Sequence, residues 1–433
     1  MKHRVKLLVV ALGLVVLLLV PQSLLFAATT LKFFHTLWIP SMVELMDEAA
    51  ARYEEENPGI KIEQTRVSWT DAPSQLMTSI MGGEPPDITM AGWSMVGQFR
   101  GMGAFADITD LIPEEMKKSF LPTAVEGVTY EEGRFDGVPQ EGCIWAQFYR
   151  KDLFAEAGLD PSGAPDTWEE LVEYGEALTK DTDGDGNIDQ WAFGWPVQAE
   201  NAGQFWLTFL HQAGSQVIVL EDGKWKSLLD QKEALEGTQF MVDLVQRYKV
   251  SPASIVDMNW EDVTNGFAAG KFAIMHNGAW VVGSVKQKAP DLEGKWSTDI
   301  IFGGPGGRVT QGGPNNFHVL RASKNIEQAW DFLEFLYEEG RTADLTYVEE
   351  LANLVGSIQW NYDYMDFVRS TYEPLLQPFL EHKYAKLPPF TPHWQTFVSL
   401  FGDAAVQDMI MGKRTVKATL EDLHAKLNQL HSQ

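Results

Sequence analysis

At 433 residues and 45% hydrophobic content, the chain is long enough for two or three domains with sizeable cores. Its 34 Lys and Arg stand against 60 Asp and Glu, a formal charge of −26. So acidic a surface repels phosphate backbones and anionic lipid heads, which argues against nucleic-acid and membrane-surface partners.

The first residues, Met1-Lys2-His3-Arg4-Val5-Lys6, are basic and are followed by the apolar run Leu7–Val20, Pro21-Gln22-Ser23 and the small pair Ala27-Ala28. That order describes a secretory signal peptide, and the apolar run is short for a membrane span. We expect residues 1–28 to be removed by cleavage after Ala27 or Ala28; an uncleaved N-terminal anchor is the alternative. The formal charge would then become about −29, because Lys2, Arg4 and Lys6 leave with the signal. The single cysteine, Cys143, is far from the signal. It leaves no internal disulfide and no lipid-attachment cysteine, which favours a free periplasmic protein.

Leu31–Phe34 reads as the first strand of the mature protein, ending in His35-Thr36-Leu37-Trp38-Ile39-Pro40. Ser41 with Glu44 has capping-box spacing, and Met42, Leu45, Met46, Ala49 and Tyr53 form the apolar stripe of a helix stopped by Asn57-Pro58-Gly59. Ile60–Glu63 alternates as a second strand, Ala72–Met81 predicts a helix, and Asp87–Met90 a third strand ending at Ala91-Gly92-Trp93-Ser94. Strands alternating with helices in this way imply a largely parallel sheet. Ile144–Tyr149 is apolar and aromatic, with a helix expected from Arg150 to Phe154. Thr167 and Glu170 form another capping box, with Trp168, Leu171, Val172 and Leu178 inward. A helix around Phe205–Gln212, a hairpin at Glu221-Asp222-Gly223-Lys224 and a helix over Lys232–Tyr248 follow.

Phe272–Met275 reads as a buried strand that turns at Asn277-Gly278 and sets Trp280 beyond its end, where loops of α/β folds meet ligands. Gly312–Phe317 reads as a second loop edge, then a strand His318–Arg321 and a helix begun by Asn325 with Gln328 three residues on. Ile326, Ala329, Trp330, Leu333, Leu336 and Tyr337 lie on its inner stripe, and the chain ends in a helix with Val416, Leu420, Leu423, Leu427 and Leu430 on one face.

The succession G-K-F-A-I-M-H-N-G-A-W over 270–280, a Gly/Pro loop, a strand and then A-W-D-F-L-E-F-L closely resembles the extracellular solute-binding proteins of carbohydrate ABC importers, the maltose-binding-protein family. The segment 139–154 is similar to that family's first crossing between lobes. The resemblance implies a two-lobe periplasmic-binding-protein fold of type II, with two mostly parallel sheets and a hinged cleft. The N-lobe would hold residues 29–139 and 312–345, and the C-lobe 140–311 and 346–433, joined near 139–142, 311–314 and 343–348.

Sugar rings stack their C–H faces on flat indoles while amides and hydroxyls bond the rim. Trp38, Trp93, Trp195, Trp206, Trp280, Trp360 and Trp394 sit beside turns or near strand ends and are candidate platforms, against the alternative that each is core. Trp280 and Trp394 also match family positions near the cleft. Trp168 and Trp330 lie on helix stripes and are expected in the core. For the hydroxyl rim the candidates are Thr36, Ser94, Gln140, Asn315 and Asn316.

Asp181-Thr182-Asp183-Gly184-Asp185-Gly186-Asn187-Ile188-Asp189 has the opening spacing of an EF-hand loop, with Ala192 where the bidentate Glu would stand. Asp181, Asp183, Asp185, Asn187 and Asp189, with Gln190 as a neutral donor of oxygen, are candidate ligands of a structural Ca²⁺; a solvated acidic turn is the alternative. Enzyme signatures are missing: no H-E-x-x-H, no G-x-S-x-G and no C-x-x-C, while Gly266–Lys271 lacks the P-loop spacing.

The expected function is therefore a monomeric, non-enzymatic substrate-binding protein. It would deliver a sugar or oligosaccharide to membrane permease subunits, with a separate ATPase supplying the energy. A secreted glycosidase, or the same fold with a peptide or polyamine as cargo, is the alternative.

Overall fold

The computed structural model describes residues 29–37, 40–120, 122–131, 133–198, 201–278, 281–342, 375, 384–387, 389–398 and 403–432. The signal segment, Trp38, Trp280, Trp360 and the connection at 343–348 lie outside these residues.

β1 (Thr29–His35) is flanked by two parallel neighbours, β2 (Ile60–Arg66) and β3 (Ile88–Gly92). The helices Pro40–Glu56 and Ala72–Met81 connect them. The first connection ends where the Asn57 amide donates to the Tyr53 carbonyl at 2.9 Å and Gly59 takes φ +112, a left-handed turn that the N-P-G triplet supplies. β4 (Thr129–Glu131) and β5 (Arg134–Phe135) form a small hairpin before β6 (Val138–Arg150).

The later strands are β7 (Trp191–Gly194), β8 (Ile218–Glu221), β9 (Lys224–Ser227), β10 (Phe272–Gly278), β11 (Trp296–Asp299), β12 (Thr310–Val319) and β13 (Ala385–Lys386). The main sheet runs β2-β1-β3-β12-β6-β10-β7, with β11 also on β6 and β13 on β12. The βαβ strands pair in parallel, as does β10 with β7; the strands that cross between the halves pair antiparallel.

β6 changes partner along its length. Val138 to Ile144 face β12, whereas Trp145 to Tyr149 face β10 and its last residues also face β11. β12 continues towards β3, pairing Asn315 to Val319 with Gly92 back to Ile88. These two strands join halves that have separate hydrophobic cores. One centres on Leu31, Phe33, Ile88, Met90, Phe317, Trp330 and Phe332; the other on Phe148, Trp168, Phe193, Phe267, Phe272 and Phe302. This is the two-lobe α/β arrangement, and the strand crossing positions the site.

Two expected turns are strands instead. Asn277 and Gly278 stay in β10, opposite Ala146 and Trp145, and the Asn277 amide donates to the Trp260 carbonyl at 3.2 Å. Gly312–Phe317 belongs to β12. Gly313 there makes room for a neighbouring indole rather than bending the chain. By contrast, the hairpin turn expected after β8 is present: Asp222 and Gly223 both take positive φ, the conformation a tight hairpin requires.

Candidate functional site

Strand pairing gathers several of the candidate side chains at the ends of β1 and β3 and over the crossing. Gly92 lies opposite Asn315, and Asn315 lies opposite Glu141 on β6. The β6–β12 register shifts between Asn315 and Asn316, which face Glu141 and Pro139, so that Gln140 occupies the irregularity. Trp93 and Ser94 follow Gly92 directly, opening the helix Trp93–Gly101. Thus Trp93, Ser94, Gln140, Asn315 and Asn316 converge although far apart in sequence.

Two glycines let indoles approach the sheet. A Cβ at Gly313 would lie 2.5 Å from Trp93 Cδ1, and one at Gly92 would lie 2.8 Å from Trp69 Cζ3 and 3.2 Å from Asn315 Oδ1. Directly opposed residues on an antiparallel ladder share a face. Gly92, Asn315 and Gly313 therefore line one face of the sheet, with Trp69 and Trp93 over it. Trp69 was missed by the sequence reading because Val67-Ser68-Trp69-Thr70-Asp71 looks like a plain helix entry. Its signal was the turn chemistry: the Ser68 hydroxyl donates to Asp71 Oδ2 at 2.8 Å, fixing the bend that presents the indole.

The C-terminal segment closes one side of this region. Phe390 and Thr391 press on Gly97 of the helix Trp93–Gly101, and the Arg100 guanidinium stands 5.8 Å from the Phe390 ring centre. Trp394 is 2% exposed, and its indole N–H has no partner among the described residues. From the other half, the helix Asn201–Gln212 packs on β12, and Phe205 stacks on Trp145 at 4.3 Å.

Other candidates are placed differently. Trp195 and Trp206 are each 1% exposed and belong to the C-lobe core rather than to a ligand face. Trp195 stacks on Phe193, and the Trp206 indole N–H donates to Thr238 Oγ1 at 2.8 Å. Their neighbouring turns suggested exposure, but Phe209 of the helix Asn201–Gln212 packs on Trp195, and Trp206, on that same helix, faces the helix Lys232–Gln246. Thr36 is buried with its hydroxyl turned to Met90 Sδ at 3.5 Å, beneath the site rather than lining it. Trp38, Trp280 and Trp360 lie outside the described residues.

In the acidic loop, carboxylate oxygens of Asp181, Asp183 and Asp189 all lie within 4.8 Å of one another. The loop is built around Asp181, whose Oδ1 accepts from the Gly184 N–H at 2.6 Å and whose Oδ2 accepts from the Gly186 N–H at 2.7 Å. These backbone donors, Gly186 first, hold the Asp181 carboxyl below its ordinary range. Asp185 and Asn187 are outside this trio and bond each other at 3.0 Å. Gln190 is turned away: it is 4% exposed and its amide donates to the Leu178 carbonyl at 2.8 Å. Three converging carboxylates fit a hard divalent cation bound through oxygen.

Two α/β lobes joined by strands that exchange partners at a crossing, with indoles and amides over it, define a hinged binding protein. The chain belongs to the family of bacterial extracellular solute-binding proteins, whose description matches residues 39–342. A putative binding protein of Brucella abortus is 26% identical over 390 residues, spanning 89% of each chain. The lactose-binding protein of Rhizobium radiobacter is 27% identical over 337 residues, covering 74% of this chain and 73% of its own. Among solved structures, an ABC transporter solute-binding protein of Thermotoga lettingae bound with alpha-D-tagatose superposes with TM-score 0.79 at 22% identity. That match covers 93% of this chain and 99% of the other. The maltose-bound MalE3 of T. maritima gives TM-score 0.77 at 23% identity, covering 93% and 100%. These likenesses establish the fold.

Proposed function

We propose that this chain captures a neutral sugar or short oligosaccharide for an ABC importer and passes it chemically intact to a membrane permease. The observation that carries this reading is the convergence of Trp69 and Trp93 with Asn315 and Gln140 over the strand crossing. Flat apolar faces with amides at their margin complement a ring with C–H faces and a hydroxyl rim. The relatives named for lactose and maltotriose binding support the same class of ligand.

The ligand would first rest on one lobe, and contacts made only when both lobes touch it would draw them together. Closure then changes the outer surface that a permease meets. In this reading the protein is a periplasmic monomer freed by signal cleavage, and the loop at 181–189 holds a structural Ca²⁺ through Asp181, Asp183 and Asp189.

The test is a thermal-shift and tryptophan-fluorescence screen of the purified mature chain against neutral mono- and oligosaccharides, with the recovered ligand checked by chromatography. A ligand at 100 times its Kd should stabilise the chain by about 2.7 kcal/mol. Recovery of the sugar unaltered supports the reading; release of cleaved product would make the chain a glycosidase, and no shift with any sugar would overturn the ligand class.

A further inference from the structure

The face of β12 that carries Asn315 and Gly313 continues to Gln311. Gln311 stands one residue before the Gly312–Ile144 pair that ends the β12–β6 ladder, and opposite Lys386 on β13. Gln311 is 1% exposed, and neither its amide nitrogen nor its amide oxygen has a hydrogen-bond partner among the described residues. Buried amides are nearly always satisfied on both ends, so a wholly unpaired one marks a place that another molecule completes.

Its surroundings repeat the pattern. The helix Asn201–Gln212 packs Phe205 on Trp145, and Gln212 reaches the Val309 carbonyl at 3.1 Å, two residues before Gln311. Thr208 lies between those two contacts on the helix, and its buried hydroxyl is also unpaired. His276 is 0% exposed, stands edge-on to Phe205 at 4.9 Å and to Trp145 at 5.9 Å, and has no partner for either ring nitrogen. His211 Nδ1, one turn along from Thr208, is unpaired as well. Burial lowers His276 and His211 to about 3, so both rings are neutral at physiological pH.

We propose that Gln311, with Thr208 and His276, is the specificity-determining inner end of the binding site and accepts an uncharged, hydroxyl-bearing part of the ligand. The inference rests on the sugar-binding reading above and narrows it. An amide and a neutral imidazole each offer a donor and an acceptor, and a hydroxyl is both. An ammonium can only donate, so it would leave the donors of these groups unmatched. Lys386 pairs with Gln311 across β12 and β13, and its charge adds to burial in lowering His211, so an ammonium here would be repelled as well as desolvated. Neutral sugars should therefore bind, while amino sugars of the same skeleton should be rejected.

The experiment is calorimetric titration of the wild-type chain, Gln311→Met and His276→Phe with the neutral sugar that gives the largest thermal shift, and with its amino-sugar counterpart. Melting of each ligand-free variant is recorded alongside. Both substitutions replace an unpaired buried polar group by an apolar one of similar size, so ligand-free melting should stay level or rise. Affinity for the neutral sugar should fall about tenfold or more, as loss of a neutral hydrogen-bonding partner implies. Undiminished affinity in both variants, or equal wild-type affinity for the amino-sugar counterpart, overturns the inference while the functional reading stands. If no neutral sugar binds the wild-type chain, both fall together.

Discussion

Trp93 lies against the backbone of Gly313, so closely that an added Cβ would stand 2.5 Å from its Cδ1 and 2.6 Å from its Cγ. Gly313→Ala should therefore push the indole off the sheet, with an overpacking cost of about 1–3 kcal/mol. Urea unfolding should show this as a lower midpoint at unchanged slope. Combining it with Trp93→Ala should recover most of the loss, because the second change removes the atom the methyl meets. Simple additivity of the two costs would show that the contact is not the cause.

Trp206 and Trp93 should behave oppositely when truncated. Trp206 fills the C-lobe interior between the helices Asn201–Gln212 and Lys232–Gln246. Trp206→Ala should cost about 3–5 kcal/mol through the cavity it leaves. Trp93→Ala should lose the sugar-induced thermal shift at a smaller stability cost. Calorimetric melting with and without sugar separates the two. A stable Trp206→Ala chain that no longer responds to sugar would return Trp206 to the ligand face.

Local signals carried the element order because they act through the nearest residues. Thr167 Oγ1 accepts from the Glu170 N–H at 3.1 Å, the half of the capping box that the T-x-x-E spacing implied, while Glu170 Oε2 accepts at 2.7 Å from the N–H of Asp166, one residue before the cap. The strand crossing was harder to read, because its residues answer to partners far away. Gly312-Gly313 looks like loop punctuation until Trp93 is seen over Gly313, and Asn277-Gly278 looks like a turn until β6 is seen beside it. Burial was the other blind spot. Nothing adjacent to Trp195 distinguishes a tryptophan at a strand end from one covered by a later helix, and Trp206 lies on a helix that a distant second helix covers. Gln311 escaped notice because its local context is ordinary; only the missing partners around it are unusual.

Acidification should destabilise the chain before its carboxylates titrate. Burial lowers His318 and His35 to about 4, and His211 and His276 to about 3, from an ordinary 6.5. Between those values the unfolded chain binds protons that the folded chain does not, so this stability is present above 6.5 and is lost as pH falls. For His318 the full effect is on the order of 3 kcal/mol. Asp299, Asp331 and Glu126, raised by burial, act in the opposite sense at the acid end. Melting temperature should therefore drop from pH 7 to pH 4.5, and His276→Phe should flatten the slope. A level profile over that interval would contradict the burial of these rings.

Calcium should be felt through Asp183 and not through Gln190. Asp183 Oδ1 accepts from the Asp185 N–H at 3.1 Å, a bond that asparagine at the same position keeps while removing the charge. With the oxygens of Asp181, Asp183 and Asp189 within 4.8 Å, their mutual repulsion is relieved by a divalent cation. Chelator should lower wild-type melting and calcium restore it, whereas Asp183→Asn should lose most of this response with its ligand-free fold intact. Gln190→Ala breaks the bond to the Leu178 carbonyl, so it should lower melting by a similar amount with and without calcium. Indifference of the wild-type chain to both calcium and chelator would leave the loop as a solvated acidic turn held by its own backbone donors.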